Sequence, residues 1–284
     1  MRSIILLVLA SNFFAFTSLS SQSIYYNCGL DNVVRLEVNK PFFEDNNVFD
    51  FLTTDTYLSG EFKVGQSHKI ALELPISRIG FQDIGFPVEG ETGIGNLSVA
   101  YQFRNLSNSN YFEAKLRLPT SGDLDQNAFL SGLFTDFTER FTSSLPSTTS
   151  IEPSYFHEGG FGDGGYYRLN PGLKGIFASD DVFEDFEMLL DLNALIGYRN
   201  ESIDINGGLT TTSILTESDI DFGDRVLRNF VTTFTYVGSS FQPGLILRIP
   251  WGQGFGFYDI AVGVQLSYVI GRTNKSSDTE KDIN

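Results

Sequence analysis

The chain has 284 residues, with 19 Lys and Arg against 35 Asp and Glu, a formal net charge of -16 and a single cysteine. That balance argues against nucleic acid as a partner, because phosphate binding rests on basic side chains, and Cys28 alone rules out an intramolecular disulfide or a multi-cysteine metal centre. A hydrophobic fraction of 41% with 27 Phe, 28 Gly and 2 Met is too low for a helical membrane protein and suits many strands joined by tight turns.

The N-terminus carries one positive charge, Arg2, an apolar core over residues 4–10 and 13–16, and the small polar run TSLSSQS, which is the three-part pattern of an export signal. Ser11 and Asn12 interrupt the core, and its length is short for a membrane anchor. Cleavage near Ser20 or Ser21 leaves about 263 residues. The chain therefore divides into a signal at 1–21, a folded body at 22–270 and a polar, disordered tail at 271–284. The body has no stretch near eighteen consecutive apolar residues, so any membrane crossing must use strands closed into a barrel, which leaves no backbone group unpaired in hydrocarbon.

Strand-like alternation, with side chains pointing to opposite faces every second residue, recurs along the body. It is weak at 56–64 and clear at 68–77, where Ile70, Leu72, Leu74 and Ile76 oppose Lys69, Ala71, Glu73 and Ser77. At 96–104, Leu97, Val99, Tyr101 and Phe103 oppose Gln102 and Arg104, and at 111–118, Phe112, Ala114, Leu116 and Leu118 oppose Glu113, Lys115 and Arg117. It is weak at 166–177, 203–215 and 228–237. It is clear at 187–199, where Met188, Leu190, Leu192, Ala194, Ile196 and Tyr198 oppose Glu187, Asp191, Asn193 and Arg199, and at 241–250, where Phe241, Leu245, Leu247 and Ile249 oppose Gln242 and Arg248. The longest run, 258–270, sets Tyr258, Ile260, Val262, Val264, Leu266, Tyr268 and Ile270 against Asp259, Ala261, Gly263, Gln265 and Ser267. Such lengths match a tilted bilayer-crossing strand of about 9 to 11 residues better than a globular strand.

LELP at Pro75, LRLP at Pro119 and LRIP at Pro250 each look like a strand end, since proline fits where ladder pairing stops. Their gaps of 44 and 131 residues, the second about three times the first, read as a hairpin period, so the three strands run the same way. If those ends are external, the short turns 65–67, 105–110, 200–202 and 238–240 are periplasmic and the longer connections 78–93, 179–185 and 217–224 are external, as in outer-membrane barrels. Consistency requires one more inward strand within 121–165 and one outward strand near 32–39. The prediction is an all-β, closed antiparallel transmembrane barrel of twelve strands, within a range of ten to fourteen.

The aromatics sort by height. Tyr101, Phe103, Phe112, Tyr198, Tyr236, Phe241 and Tyr268 fall at the periplasmic ends, and Phe81, Phe86, Phe177, Trp251 and Tyr258 near the external ends. Two such belts around an aliphatic band point the apolar face at lipid. The inner face is then Lys69, Glu73, Gln102, Arg104, Glu113, Lys115, Arg117, Glu187, Asp191, Asn193, Arg199, Arg248, Asp259 and Gln265, a set that either pairs across strands and fills the lumen or lines a polar conduit. Mixed signs argue against strong ion selectivity. In the longest external connection, Leu130, Leu133, Phe134, Phe137 and Phe141 recur at helical spacing over 125–141. This short amphipathic helix is read as packed on the barrel rim, with a lid or lumen plug as the alternative.

Little suggests chemistry. Asp123-x-Asp125-x-Asn127 starts like a calcium loop, but Ala128 and Phe134 stand where Gly and Glu are needed. Asp219, Asp221 and Asp224 read as a hydrated acidic loop. His157-Glu158 precedes a glycine-rich turn, and no nucleophile or zinc motif accompanies it. No enzyme activity, cofactor or metal is expected.

The segments GIGNLSVAYQFR (93–104) and YFEAKLRLPTSGD (111–123) resemble the corresponding hairpin and strand end of the outer-membrane transporter family named for the meta-pathway of phenol degradation. Asn96 stands where the family tends to have Asp, Ser121 is inserted before Gly122, and the chain ends in a polar tail instead of an aromatic. The resemblance implies an outer-membrane barrel passing small, often aromatic, molecules, with no catalytic residues to carry over. The expected function is passive passage of small solutes, aromatic or hydrophobic ones among them; the alternative is a non-conducting structural or adhesive barrel with a salt-bridged lumen. The expected partners are outer-membrane lipid and lipopolysaccharide, the barrel assembly machinery and the solute.

Overall fold

The computed structural model of the chain describes residues 31–43, 53–80, 90–104, 110–121, 130–132, 135–178, 186–216, 225–251 and 258–271. The export signal, the tail beyond 271, the acidic motifs at 123–127 and 219–224, and Phe81, Phe86, Leu133 and Phe134 lie outside those residues.

Alternating residues build the wall. In chain order the strands are β1 (Asn32–Phe42), β2 (Thr54–Lys63), β3 (His68–Ile79), β4 (Glu91–Ile94), β5 (Ser98–Arg104), β6 (Asn110–Arg117), β7 (Thr148–Phe161), β8 (Gly165–Ala178), β9 (Phe186–Arg199), β10 (Ile203–Ile214), β11 (Val226–Tyr236), β12 (Phe241–Pro250) and β13 (Ile260–Ile270), with helix α1 (Phe137–Ser144) between β6 and β7. Sequential neighbours pair antiparallel, and β1 pairs with β13 from Asn32↔Ile270 to Phe42↔Ile260, so the sheet closes on itself without an edge.

The thirteen described strands make twelve wall positions, because β4 and β5 both pair with β3 and form one interrupted strand. Glu73 faces Ser98 and Ile76 faces Ile94, so Leu74 and Pro75 stand opposite three residues, Gly95, Asn96 and Leu97. This is a β-bulge, one extra residue on one strand. Pro75 does not close β3 as the LELP pattern predicts: the strand runs on to Ile79. The Pro75 carbonyl accepts from Gly95 N–H at 2.9 Å, so the side on which proline has no N–H to give is where the neighbouring ladder breaks. Pro250 does end β12.

The strands inferred only from parity are β1 and β7. In β1 the outward Val34, Leu36 and Val38 alternate with Arg35, Glu37 and Asn39. The chain ends of the barrel and the turns 64–67, 162–164, 200–202 and 237–240 gather at one end, which the short-turn rule of outer-membrane barrels assigns to the periplasm; Lys63 N–H donates to Asn32 Oδ1 at 2.7 Å there.

The core is inverted relative to a soluble barrel. Leu36, Leu72, Leu192, Ile196, Leu245 and Val264 are exposed on the outer wall, while Glu37, Lys69, Glu113, Arg117, Glu152, Lys174 and Arg248 are buried inside. An apolar outer band with a charged interior is stable only if the band meets hydrocarbon, since each exposed apolar side chain would otherwise stay in water.

Candidate functional site

Helix α1 is a lumen plug. The expectation that it packs on the rim is corrected: Thr138, Glu139, Arg140, Thr142, Ser143 and Ser144 are all buried, and their partners lie around the external half of the barrel. The apolar spacing misled because the surroundings are polar. The hydroxyl and charged face of the helix meets the wall, while Phe137 and Phe141 are only half-buried and pack on each other with ring centroids 4.6 Å apart.

Asp136 starts the helix, its carboxylate accepting Glu139 N–H at 3.2 Å. Lys174 of β8 donates to the Thr138 and Glu139 carbonyls, both at 3.2 Å, and pairs with Asp191 of β9 at 2.8 Å. Thr138 shares a 3.0 Å hydrogen bond with Thr210 of β10 and accepts from Asn229 of β11 at 3.0 Å. Just before the helix, Thr135 donates to Asp55 of β2.

The helix also closes a continuous chain of alternating charge across the lumen. Asp136 accepts from Arg248 at 2.9 Å, Arg248 lies 3.6 Å from Glu37, and Glu37 accepts from Arg140 at 2.8 Å. Arg140 reaches Glu73 at 3.0 Å, Arg117 reaches Glu73 at 3.3 Å, and Arg117 donates to Glu152 at 3.0 Å. Glu152 also accepts from Thr142 of the helix at 2.6 Å. Arg140 sits 3.9 Å from the ring centre of Tyr57. Burial opposes its charge, but the facing Glu37 and Glu73 carboxylates outweigh that and hold its pKa well above the usual arginine value.

Below the helix, toward the periplasm, the lumen has two sides. On the β7–β10 side, Glu158 accepts from Arg168 at 2.8 Å and faces Arg199 at 3.5 Å, Arg199 pairs with Asp204 at 2.7 Å, and the Tyr166 hydroxyl donates to Asp204 at 2.7 Å. Tyr111 and Phe156 stack beside them, ring centroids 4.2 Å apart and fully inside. On the β1–β6 side a cavity of about 50 Å³ remains, bounded by Arg35, Glu61, Gln102, Glu113, Lys115 and Arg140 among others. That is room for a few water molecules. Glu113 accepts from Gln102 at 2.6 Å, and Lys115 stands 4.0 Å from it.

Of the proposed lining residues, Lys69, Gln102, Glu113, Lys115, Arg117, Asp191, Asn193, Arg248 and Gln265 are buried inside the barrel, and Glu73 and Arg199 are inward with partial exposure. Arg104 and Glu187 are half-buried at opposite ends of their strands. Asp259 is a correction: it precedes β13, is exposed, and its N–H donates to Phe42 O. Tyr258 is also corrected. It is 5% exposed, packs on Ala261, Phe43 and Leu130, and donates to Asn229 Oδ1, so it points inward and leaves the aromatic belt. Alternation holds only within a ladder, and β13 begins at Ile260. Tyr101, Phe103, Tyr198, Tyr236, Phe241, Trp251 and Tyr268 stand exposed on the outer wall, with Phe112 half-buried there. Sequence reasoning missed Arg35, Glu37, Glu61, Asp136, Arg140, Glu152, Arg168 and Lys174. In β1 the alternation NVVRLEVNK carried the signal; for Asp136 and Arg140 only the polar side of the helical period did.

A closed antiparallel barrel with an apolar outer wall and an ion-paired interior is a transmembrane β-barrel of the outer-membrane kind. The chain is similar in fold to an outer-membrane channel from Pseudomonas putida F1, with a TM-score of 0.58 and 12% identity over 88% of this chain and 99% of that one. It is also similar to LpxR from Salmonella typhimurium, with a TM-score of 0.50 and 6% identity over 84% and 99% of the two chains. At these identities the likeness is one of fold. No protein-family model and no curated protein sequence matches the chain.

Proposed function

We propose that this chain is exported, inserted by the barrel assembly machinery among outer-membrane lipid and lipopolysaccharide, and passes small hydrophilic solutes through a lumen that α1 keeps narrow. The observation that carries this reading is the cavity beneath the plug. Its lining mixes Arg35, Lys115 and Arg140 with Glu61, Glu73 and Glu113, and among the described residues it holds no aromatic ring. Such a surface favours neutral or zwitterionic solutes, whose polar groups find either sign. The resemblance to the phenol meta-pathway transporters would favour aromatic solutes instead, and competition between the two classes separates them.

A second reading, a non-conducting structural barrel, is supported by the unbroken ion chain from Asp136 to Glu152. The deciding experiment compares the whole protein with a variant in which residues 124–144 are replaced by a short Gly-Ser linker, by planar-bilayer conductance and by liposome swelling in sugars, zwitterionic amino acids and aromatic acids. We expect small conductance from the whole protein and a several-fold increase on plug removal. A plugless barrel that conducts no better than the empty bilayer overturns the channel reading and leaves the structural one.

A further inference from the structure

Asn96 and Ser121, two places where the chain departs from the family pattern, have a physical use that neither alternation nor charge explains. GIGN supplies the bulge at 95–97, LPTS supplies the chain leaving β6, and the two meet inside the wall. Asn96 is fully buried. Its Nδ2 donates to Leu145 O at 2.6 Å and Thr142 O at 3.1 Å and lies 3.3 Å from Thr148 Oγ1; its Oδ1 accepts from Ser121 N–H at 3.2 Å; its backbone N–H donates to Ser143 O at 2.7 Å. One amide side chain thus grips both ends of the plug segment, Ser121 where it leaves the wall and Leu145 where it returns. Thr120 completes the clasp: its hydroxyl donates to Gly95 O at 2.8 Å and accepts from Leu97 N–H at 2.8 Å. Gly95 cannot carry a side chain, because a Cβ there would run into Ser143 O and stand 2.8 Å from Pro75 Cγ.

We propose that Asn96 is the positioning residue that seats the plug, with the bulge existing to aim it inward. Three features fit this role. The bulge turns Asn96 inward at the one point where the ladder is already broken by Pro75. The carbonyls it binds belong to the last turn of α1 and the residue after it, which have no partner within the helix. The clasp also sits on the β5–β7 side, opposite the Asp136–Arg248 contact on β12, so the plug is held at two separated places. The amide is required as an amide: it donates to carbonyls through its nitrogen and accepts an N–H through its oxygen, which a carboxylate cannot do. This seat rests on α1 restricting the lumen, and its test reads the position of the plug independently of conductance.

In a Cys28→Ser background, Thr138→Cys and Thr210→Cys place two thiols where the hydroxyls stand 3.0 Å apart, so the seated plug cross-links to β10 on mild oxidation. Adding Asn96→Asp removes the donors and sets a charge against the Leu145 and Thr142 carbonyls; we expect cross-link yield to fall several-fold and conductance of the uncross-linked protein to rise. Asn170→Asp, the same change at a buried lumen asparagine away from the clasp, should leave the yield intact, and heat-modifiable gel migration reports whether each barrel is folded. Wild-type yield in folded Asn96→Asp overturns the proposal, as does an equal fall in Asn170→Asp. Lost cross-linking with unchanged conductance keeps the seat and overturns the channel reading alone. If Asn96→Asp does not fold, Asn96→Ala and Thr120→Ala take its place, and unaltered cross-linking in both is equally fatal.

Discussion

Arg140 joins two wall carboxylates, Glu37 and Glu73, that are otherwise far apart in the chain and lie inside the lumen. Removing one partner of a buried pair costs more than the pair contributes, because the remaining charge stays desolvated, at about 3–5 kcal/mol. Arg140→Met should therefore lower the unfolding free energy obtained from urea titration in detergent micelles by that order, and adding Glu37→Gln and Glu73→Gln should recover much of the loss. A triple variant as unstable as the single one would show that packing of the guanidinium on Tyr57 matters more than charge. The same scale shows where the sequence was legible. Arg117 and Arg248 stand on regular strands and their inward direction follows from parity alone. Tyr258 and Asp259 do not, because a strand's first paired residue is fixed by its neighbour, here Phe42 across from Ile260, and one unpaired residue before it frees the next side chain to turn.

Among elements, β10 lies closest against its neighbour at Gly208. Gly208 pairs with Leu195 on one side and Val231 on the other, and Leu195, Val231 and Ile246 form a small apolar cluster within the polar lumen. A Cβ at Gly208 would collide with Ala194 O, whereas at the neighbouring Gly207 the nearest atom is Thr232 Oγ1 at 3.4 Å. Gly208→Ala should then cost about 1–3 kcal/mol as overpacking and Gly207→Ala close to nothing, measured by the temperature at which the folded band converts on gels. Equal shifts would mean that the close approach of Ala194 O to Gly208 does not limit the strand. Strand elements were readable because the wall separates its two faces by polarity. A helix was readable over 125–141, where the structure has α1 at Phe137–Ser144, but the rim was preferred over the lumen for its seat, since its apolar side chains suggested a surface while its partners, Glu37, Lys174 and Glu152, come from strands far apart in sequence. The β4–β5 bulge was equally hidden: Asn96 reads as one polar residue on an alternating strand until Ser143 and Leu145 are brought against it.

For the whole molecule, everything turns on which medium touches the outer wall, and the single tryptophan reports on it. Trp251 is 64% exposed directly after β12, at the external end, where an amphipathic ring is stable at headgroup depth. Leu245, six residues earlier and within β12, is 55% exposed and stands nearer mid-height. In vesicles, lipids brominated close to the headgroup should quench Trp251 more than lipids brominated near the chain ends, and Leu245→Trp in a Trp251→Phe background should reverse that order. Leu245→Arg should destabilise the inserted barrel by about 2–4 kcal/mol, the cost of a guanidinium near the bilayer midplane, while Trp251→Arg should cost little. Quenching by aqueous acrylamide at both positions, with no depth order among the brominated lipids, would mean that water and not hydrocarbon bathes the wall. The buried charges would then have no apolar solvent to offset them, and neither the plug nor the cavity beneath it would belong to a membrane pore.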